Sequence, residues 1–338
     1  MEIEWGTREL TLAETFTIAR GSSDVETVVW VSLASGGAVG LGEGAPDDRY
    51  GETPSRTGEQ IERARPLLGG DPFALEAIER RLRGSLESAV ALRALDGALH
   101  DLVGKLVGQP TWRLLGLGDR TPETSFTLGI DSVEATADKA RRAVEAGYRR
   151  LKIKLGGADD LARLEAIREV TDLPIRVDAN EGWTLEAARG LVPELRRFGV
   201  ELIEQPFPAA DLESFRALRE HTAGIPIVVD EGCHTLADVA GIASYADGIN
   251  LTLDKTGGIR EAIRMIHAAR ALGLTVMLGC MIESSLGIAA AAQFASLCDV
   301  VDLDGHLLIT DDPYRGLGLA DGRLLLSPHP GFGLEEVA

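Results

Sequence analysis

From about Thr124 onward, short apolar runs alternate with amphipathic segments, and a polar residue closes nearly every run. The runs are "SFTLGI", "RLKIKL", "PIRVDAN", "ELIEQP", "PIVVDEG", "GINLTLDK", "TVMLGCM" and "VVDLDGH". Lys154, Asp178, Glu204, Asp230, Lys255, Cys280 and Asp304 stand near their ends, at successive gaps of 24, 26, 26, 25, 25 and 24 residues. One strand and one helix per unit give such a rhythm, and eight strands so arranged close into a parallel barrel rather than an open sheet. The last run leads into "DDPYRGLGLADGRLLLSPHP" instead of an eighth helix. The expected fold is therefore α/β, a modified TIM barrel of the (β/α)7β type. The recurring polar residues then sit at the C-terminal mouth, where barrels of this kind carry their active sites. An acid after one strand is commonly only a helix N-cap. Polar groups at so many consecutive strand ends exceed that explanation.

The first third reads as α+β. Strands are expected over roughly Ile3–Ile18, Glu26–Ala34 and Ala38–Gly44, and a helix over Ser88–Val107, where Leu92, Leu95, Leu99, Leu102, Val103 and Leu106 recur at helical spacing. This divides the chain into an N-terminal α+β module (1–120), the barrel (121–310) and a segment that packs back on the module (311–338). The net charge of −19 argues against a nucleic-acid footprint. The opening "MEIEWGTREL" lacks the basic and apolar regions of a signal peptide, and no run approaches the roughly 18 apolar residues of a membrane span. Cys233, Cys280 and Cys298 are dispersed and odd in number, which suits the reducing cytoplasm. The expected partner is a small molecule, with neither nucleic acid nor membrane, and self-association into a homo-oligomer stays open.

Only five lysines stand among the 34 basic residues, yet "YRRLKIKLGG" places Lys152 and Lys154 two apart. A buried ammonium can lose its proton and a guanidinium cannot, so a lysine kept in such a chain hints at proton transfer. Asp178, Glu204 and Asp230 fall on three neighbouring strands. Three converging carboxylates repel one another unless a divalent cation joins them, and all-oxygen ligation points to Mg²⁺. Asn180, and Glu231 with less favourable parity, are candidates to orient a ligand from behind. Lys154 on the second strand and Lys255 on the sixth are opposed across a ring of eight. Lys152, one pleat below Lys154, adds a like charge that favours release of its neighbour's proton. It serves equally well as a barrel-interior lysine that satisfies carboxylates. Two opposed amines beside a Lewis acid imply abstraction of a proton α to a carboxylate, with the metal stabilising an enediolate. Removal from one face and return to the other is racemisation or epimerisation.

These residues resemble the enolase superfamily, and within it the muconate-lactonizing subgroup. The resemblance spans essentially the whole chain and rests on "KIK", "VDAN", "IEQP", "VVDE" and "LDKTGG". Superfamily sites of this kind use a Lys or His base with Mg²⁺. "VDLDGHLL" is similar to the Asp-x-Asp motif of the dipeptide epimerases. The resemblance therefore implies that Asp302 and Asp304 hold the free ammonium of a dipeptide, as two carboxylates on one face suit a cation. It makes the N-terminal module a capping domain whose mobile loops, "IARGSSDVE" and "PDDRYGE", close over the mouth. The activity implied is a Mg²⁺-dependent dipeptide epimerase that inverts the Cα of the C-terminal residue, similar to the L-Ala-D/L-Glu epimerases. Those enzymes carry an arginine in the first loop to receive a side-chain carboxylate. Ser23 aligns there, so Arg20 and Arg49 become the candidate cations, while Asp24 and Glu26 favour a neutral or cationic residue. Thr127, and Cys280 or Glu283, are expected to line the pocket. His306 replaces a proline common after the motif.

"GAVGLGEG" faintly echoes a dinucleotide fingerprint, but no helix opens directly after it, so a strand and turn is the better reading. A cycloisomerase, an o-succinylbenzoate synthase or an N-acylamino acid racemase of the same subgroup is the alternative activity. None of these needs an ammonium pocket. A non-catalytic barrel would have no use for both lysines and the acids together.

Overall fold

The computed structural model describes residues 1–337. An antiparallel sheet comes first, with β1 (Glu2–Ile18), β2 (Gly21–Ser35) and β3 (Ala38–Gly44) in that order. Helices α1 (Pro54–Ala64), α2 (Leu75–Arg83) and α3 (Ala89–Val107) cover it. The Ser88 side chain caps α3 by accepting from the Ala91 N–H, and Gly108 ends it at a left-handed φ of 66°. Two glycines let α3 lie directly on β3. A Cβ at Gly40 would meet Ala98 O at 2.1 Å, and one at Gly42 would meet Ala94 O at 2.0 Å. The glycines of "GAVGLGEG" thus serve helix–strand contact.

A short α4 (Thr111–Leu114) and β4 (Arg120–Glu123) lead into the barrel. Its units are β5 (Phe126–Leu128), α5 (Val133–Glu145), β6 (Leu151–Lys154), α6 (Asp160–Val170), β7 (Ile175–Asp178), α7 (Leu185–Arg197), β8 (Val200–Glu204), α8 (Leu212–Arg219), β9 (Ile227–Val229) and α9 (Leu236–Ile242). Then follow β10 (Gly248–Leu251), α10 (Leu253–Thr256), α11 (Ile259–Ala271), β11 (Thr275–Leu278), α12 (Ser285–Ala292) and β12 (Val300–Val301). The eight strands β5 to β12 form one sheet in sequence order. A parallel bridge between Thr124 and Val301, with Ser125 N–H donating to Val301 O at 3.2 Å, joins its first edge to its last. Arg176, pointing inward from β7, braces the seam through Ser125 Oγ at 2.7 Å and Val301 O at 2.9 Å.

The strand sequences explain the two layers. Leu151, Ile153, Ile175, Val177, Ile203, Ile249 and Leu251 belong to one buried cluster with helix residues such as Ala140, Leu164 and Ala188. Each such aliphatic side chain contributes about 1.5–3 kcal/mol on burial. Their alternates, Lys152, Lys154, Arg176, Asp178, Glu204 and Asn250, turn to the barrel interior. After β12 the chain makes a single 3-10 turn at Gly305–Leu307 rather than a helix. Beyond it, β13 (Tyr314–Arg315), β14 (Gly318–Ala320), β15 (Arg323–Leu325) and β16 (Glu335–Glu336) form two small sheets, and β15 pairs with β4. Phe332 N–H donates to Asp101 Oδ1 on α3 at 2.7 Å, and Thr111 N–H donates to Gly331 O at 2.9 Å. Among the described residues, no helix is long and apolar enough to cross a membrane.

Candidate active site

A cavity of about 730 Å³ opens at the C-terminal ends of the strands, roofed by the β1–β2 tip and the segment Ala45–Tyr50. Thr127, Lys152, Lys154, Asp178, Glu204, Asp230, Cys280, Asp302, Asp304 and Arg20 all line it. The barrel register accounts for the first of these. Lys154 pairs with Asp178 and Asp178 with Glu204 across β6, β7 and β8, so the three side chains share one level.

Lys152 is encircled by acids: its Nζ lies 3.2 Å from Asp178 Oδ2, 2.8 Å from Glu204 Oε2 and 2.8 Å from Asp302 Oδ2. Burial works against its charge, but these carboxylates outweigh it and hold its pKa well above the ordinary value. Lys154 Nζ donates to Asp178 Oδ2 at 2.7 Å. Burial raises Asp178, but the two ammonium groups prevail and keep it well below the usual carboxylate range. Glu204 lies between Asp178 and Asp230 with less compensation. Burial, then the charge of Asp178, pushes it up to about 8. Asn250, not singled out in the sequence, donates to Glu204 Oε1 at 2.7 Å. Its only sequence signal is an amide in the inward phase of an otherwise apolar "GINL".

The second amine departs from the expected position. Lys255 is not on the sixth strand but on the turn α10 after it, and its side chain lies behind Asp230 rather than in the cavity wall. Its Nζ donates to Asp230 O at 2.6 Å, to Asn250 O at 3.1 Å and to the Asp230 carboxylate. The even 25-residue gap had placed Lys255 at the strand end. Asn250 occupies that strand's inward position, and the turn from Thr252 folds Lys255 back toward Asp230. The amines still stand on opposite flanks of the acids, one on Asp178 and the other on Asp230.

Asp302 and Asp304 meet Thr127 at the end of β5. Thr127 N–H donates to Asp304 Oδ2 at 2.6 Å, and its hydroxyl to Asp304 Oδ1 at 3.2 Å and Asp302 Oδ1 at 3.4 Å. Burial, then the charge of Asp302, pushes Asp304 up to about 7. The pair is a walled acidic end of the cavity.

Two other expectations are corrected. Asp24 is exposed on the outer side of the hairpin, bonded by Thr15 Oγ1 at 2.5 Å, while Glu26 lines the cavity. Glu283 is buried behind the wall, where it binds Arg93 and accepts from Met281 N–H at 2.9 Å. The segment "IARGSSDVE" forms the tip of a paired hairpin, with Ile18 opposite Gly21, and lines the cavity. Both candidate arginines are already engaged. Arg20 donates to Glu231 Oε1 at 2.6 Å and Asn180 O at 3.0 Å, and Arg49 binds Glu181. They fasten the cap to the loops that follow β7 and β9.

The residues present suit a divalent cation by chemistry: three acids on adjacent strands, one of them forced toward its neutral form by burial and like charge. Among the described residues, no three His, Cys, Asp or Glu side chains are gathered closely enough to hold an ion as they stand. The Asp178 carboxylate is bonded by Lys154 and that of Asp230 by Lys255.

Residues 4–116 match the mandelate racemase/muconate lactonizing enzyme N-terminal domain, and residues 135–336 match the enolase C-terminal domain-like family. The chain belongs to the mandelate racemase/muconate lactonizing enzyme family of the enolase superfamily. Within this family it is similar to a Bacteroides thetaiotaomicron protein named L-Ala-D/L-Glu epimerase, 38% identical over 97% of this chain and 86% of that one. A dipeptide epimerase from Enterococcus faecalis, solved with Mg and L-Leu-L-Tyr, superposes with a TM-score of 0.93 at 33% identity, covering 99% of each chain. One from Methylococcus capsulatus, solved with Mg and L-Arg-D-Lys, gives 0.92 at 33% identity, covering 98% of each.

Proposed function

We propose that this chain is a Mg²⁺-dependent dipeptide epimerase that inverts the Cα of the C-terminal residue by two-base proton transfer. The observation that carries the reading is the joint presence of three cavity-lining acids, with Lys154 bonded to Asp178 on one flank and Lys255 bonded to Asp230 on the other, and of a separate acid pair seated on Thr127. The relatives' names and their complexes with Mg and dipeptides support it.

Asp178, Glu204 and Asp230 would hold the ion, which when bound stabilises the negative charge developing on the substrate carboxylate. Lys154 takes or returns the α-proton on one flank and Lys255 on the other. For Lys255 this requires its bond to Asp230 to loosen. Asp302 and Asp304 bind the dipeptide's free ammonium, which fixes the Cα of the following residue between the amines. The cap excludes water, with Arg20 and Arg49 tying it to the barrel. This acid pair is also why an epimerase is preferred over a cycloisomerase, an o-succinylbenzoate synthase or an N-acylamino acid racemase. The free thiols of Cys233, Cys280 and Cys298 suit a cytoplasmic enzyme.

A dipeptide library incubated in D₂O with and without Mg²⁺, and read by mass spectrometry, tests this. Mg²⁺-dependent uptake of one deuterium at the C-terminal Cα is expected. Turnover of N-acylamino acids but not of free dipeptides would refute it.

A further inference from the structure

One contact between the capping module and the barrel is buried throughout. Arg93 on α3 is 2% exposed, and its guanidinium forks onto two barrel carboxylates, Asp254 Oδ2 and Glu283 Oε2. Asp254 directly precedes Lys255 on α10, and its other oxygen accepts from Ala45 N–H at 2.7 Å. The second oxygen of Glu283 accepts from Met281 N–H at 2.9 Å. Ala45 and Met281 both line the cavity. Glu43 closes the cluster by accepting from Ser284 N–H at 2.9 Å and Ser284 Oγ at 2.5 Å. Gly287 makes room for it. A Cβ there would lie 2.3 Å from Glu283 Oε2 and 2.8 Å from both Arg93 Nη2 and Glu43 Oε1.

A buried ion cluster is a poor source of stability, because well-packed apolar residues avoid its desolvation cost. Its distinctive property is geometry, since a planar guanidinium sets two carboxylates at a fixed separation. We infer that Arg93 is a positioning residue for Lys255, fixing from the capping helix the turn that carries this amine. The inference rests on Lys255 being a proton-transfer group. Arg93 reaches the turn through Asp254, and the Lys255 side chain itself bonds Asp230 and Asn250 O. Lys154 is held separately: its side chain bonds Asp178, and its carbonyl accepts from the buried Arg163 at 2.8 Å. The effect of losing Arg93 is therefore one-sided.

The shortage of lysine makes the test direct, since ¹⁵N-lysine labelling yields signals from only five side chains. The Lys255 ammonium signal, assigned by its loss in Lys255→Arg, is expected to move in Arg93→Met and to return partway in Arg93→Lys. The Lys152 and Lys154 signals stay in place. Deuterium uptake from a panel of L-Ala-L-Xaa and L-Ala-D-Xaa dipeptides with Mg²⁺ is then measured. It is expected to fall about 100-fold for the isomer whose exchange Lys255→Ala abolishes, as for a misplaced group, and to hold for the other. An unmoved Lys255 signal, or equal losses from both isomers in a variant that melts like the wild type, overturns the assignment. Should Arg93→Met fail to fold, Arg93→Lys keeps the buried positive charge and decides the signal test alone. Wild-type protein inert toward every dipeptide would reject the epimerase reading, while the Lys255 signal still settles the part played by Arg93.

Discussion

Lys255 and Asp230 form one unit: the lysine Nζ bonds both the carbonyl oxygen of Asp230, at 2.6 Å, and its carboxylate. On the far flank Lys154 donates to the Asp178 carboxylate alone, at 2.7 Å. Each proposed base is thus stored on a proposed metal ligand, and neither works until that pairing gives way.

Replacing either amine removes one face of the reaction. Lys154→Ala and Lys255→Ala are each expected to lower epimerisation by at least ~100-fold, the usual scale of a lost general acid or base. Each variant retains deuterium exchange from a single stereoisomer, and the two variants retain opposite ones. Proton NMR in D₂O checks this, and residual exchange from both isomers in each variant speaks against opposed bases.

The acid pair on Thr127 is expected to act on binding. Asp304→Asn preserves shape but removes charge from a hydrogen-bonded ion pair, a loss of about 1.5–3 kcal/mol. KM for a free dipeptide should rise accordingly, while the Mg²⁺-induced increase in Tm persists. Asp304 is pushed up to about 7 by burial and by Asp302, so it is neutral in acid. Dipeptide affinity therefore strengthens as pH rises through neutrality, and the variant flattens that profile.

Metal-free stability should fall on the alkaline side. Glu204 is raised from 4.5 to about 8, so the folded state holds a proton there that the unfolded chain has already lost. Its contribution is present at low pH and disappears as pH climbs toward 8. Between about pH 7.5 and 8.5 unfolded histidines, with a pKa of about 6.5, are largely neutral, which leaves the raised acids to set the slope. Tm of EDTA-treated protein is expected to decline across that window, and Glu204→Gln to decline less. Mg²⁺ should raise the Tm of the wild type and not of the variant. An equal slope in both proteins counts against the placement of Glu204.

Gly42→Ala probes the cap. The new methyl would sit 2.0 Å from Ala94 O and 2.7 Å from Ala98 N, so α3 must lift from β3. Overpacking of this kind costs about 1–3 kcal/mol, read as a lower urea midpoint. Because α3 carries Arg93, turnover should fall together with stability.

The barrel was legible because its strands alternate, with Ile153 and Val177 outward and Lys154 and Asp178 inward. A period of two carries that information without any tertiary knowledge. The level shared by Lys154, Asp178 and Glu204 was legible for the same reason. Counting failed where the chain leaves its strand. Lys255 follows β10 by a helical turn, and linear spacing cannot register a segment that folds back. Asp24 and Glu283 were misplaced because hairpin phase and loop path, not composition, decide which side faces the cavity. Arg93 was hidden in a helix whose leucine pattern looked purely structural, and its partners lie 161 and 190 residues away.

The bonds from Phe332 to Asp101 and from Thr111 to Gly331 have a bearing on how the molecule is made. The first hundred residues cannot complete their packing when they leave the ribosome, because the piece that seals them is translated after the entire barrel. Nascent chains must shield an unfinished surface throughout that interval. A truncation that spared every residue of the cavity would still strip α3 and α4 of the partners that Phe332 and Gly331 supply.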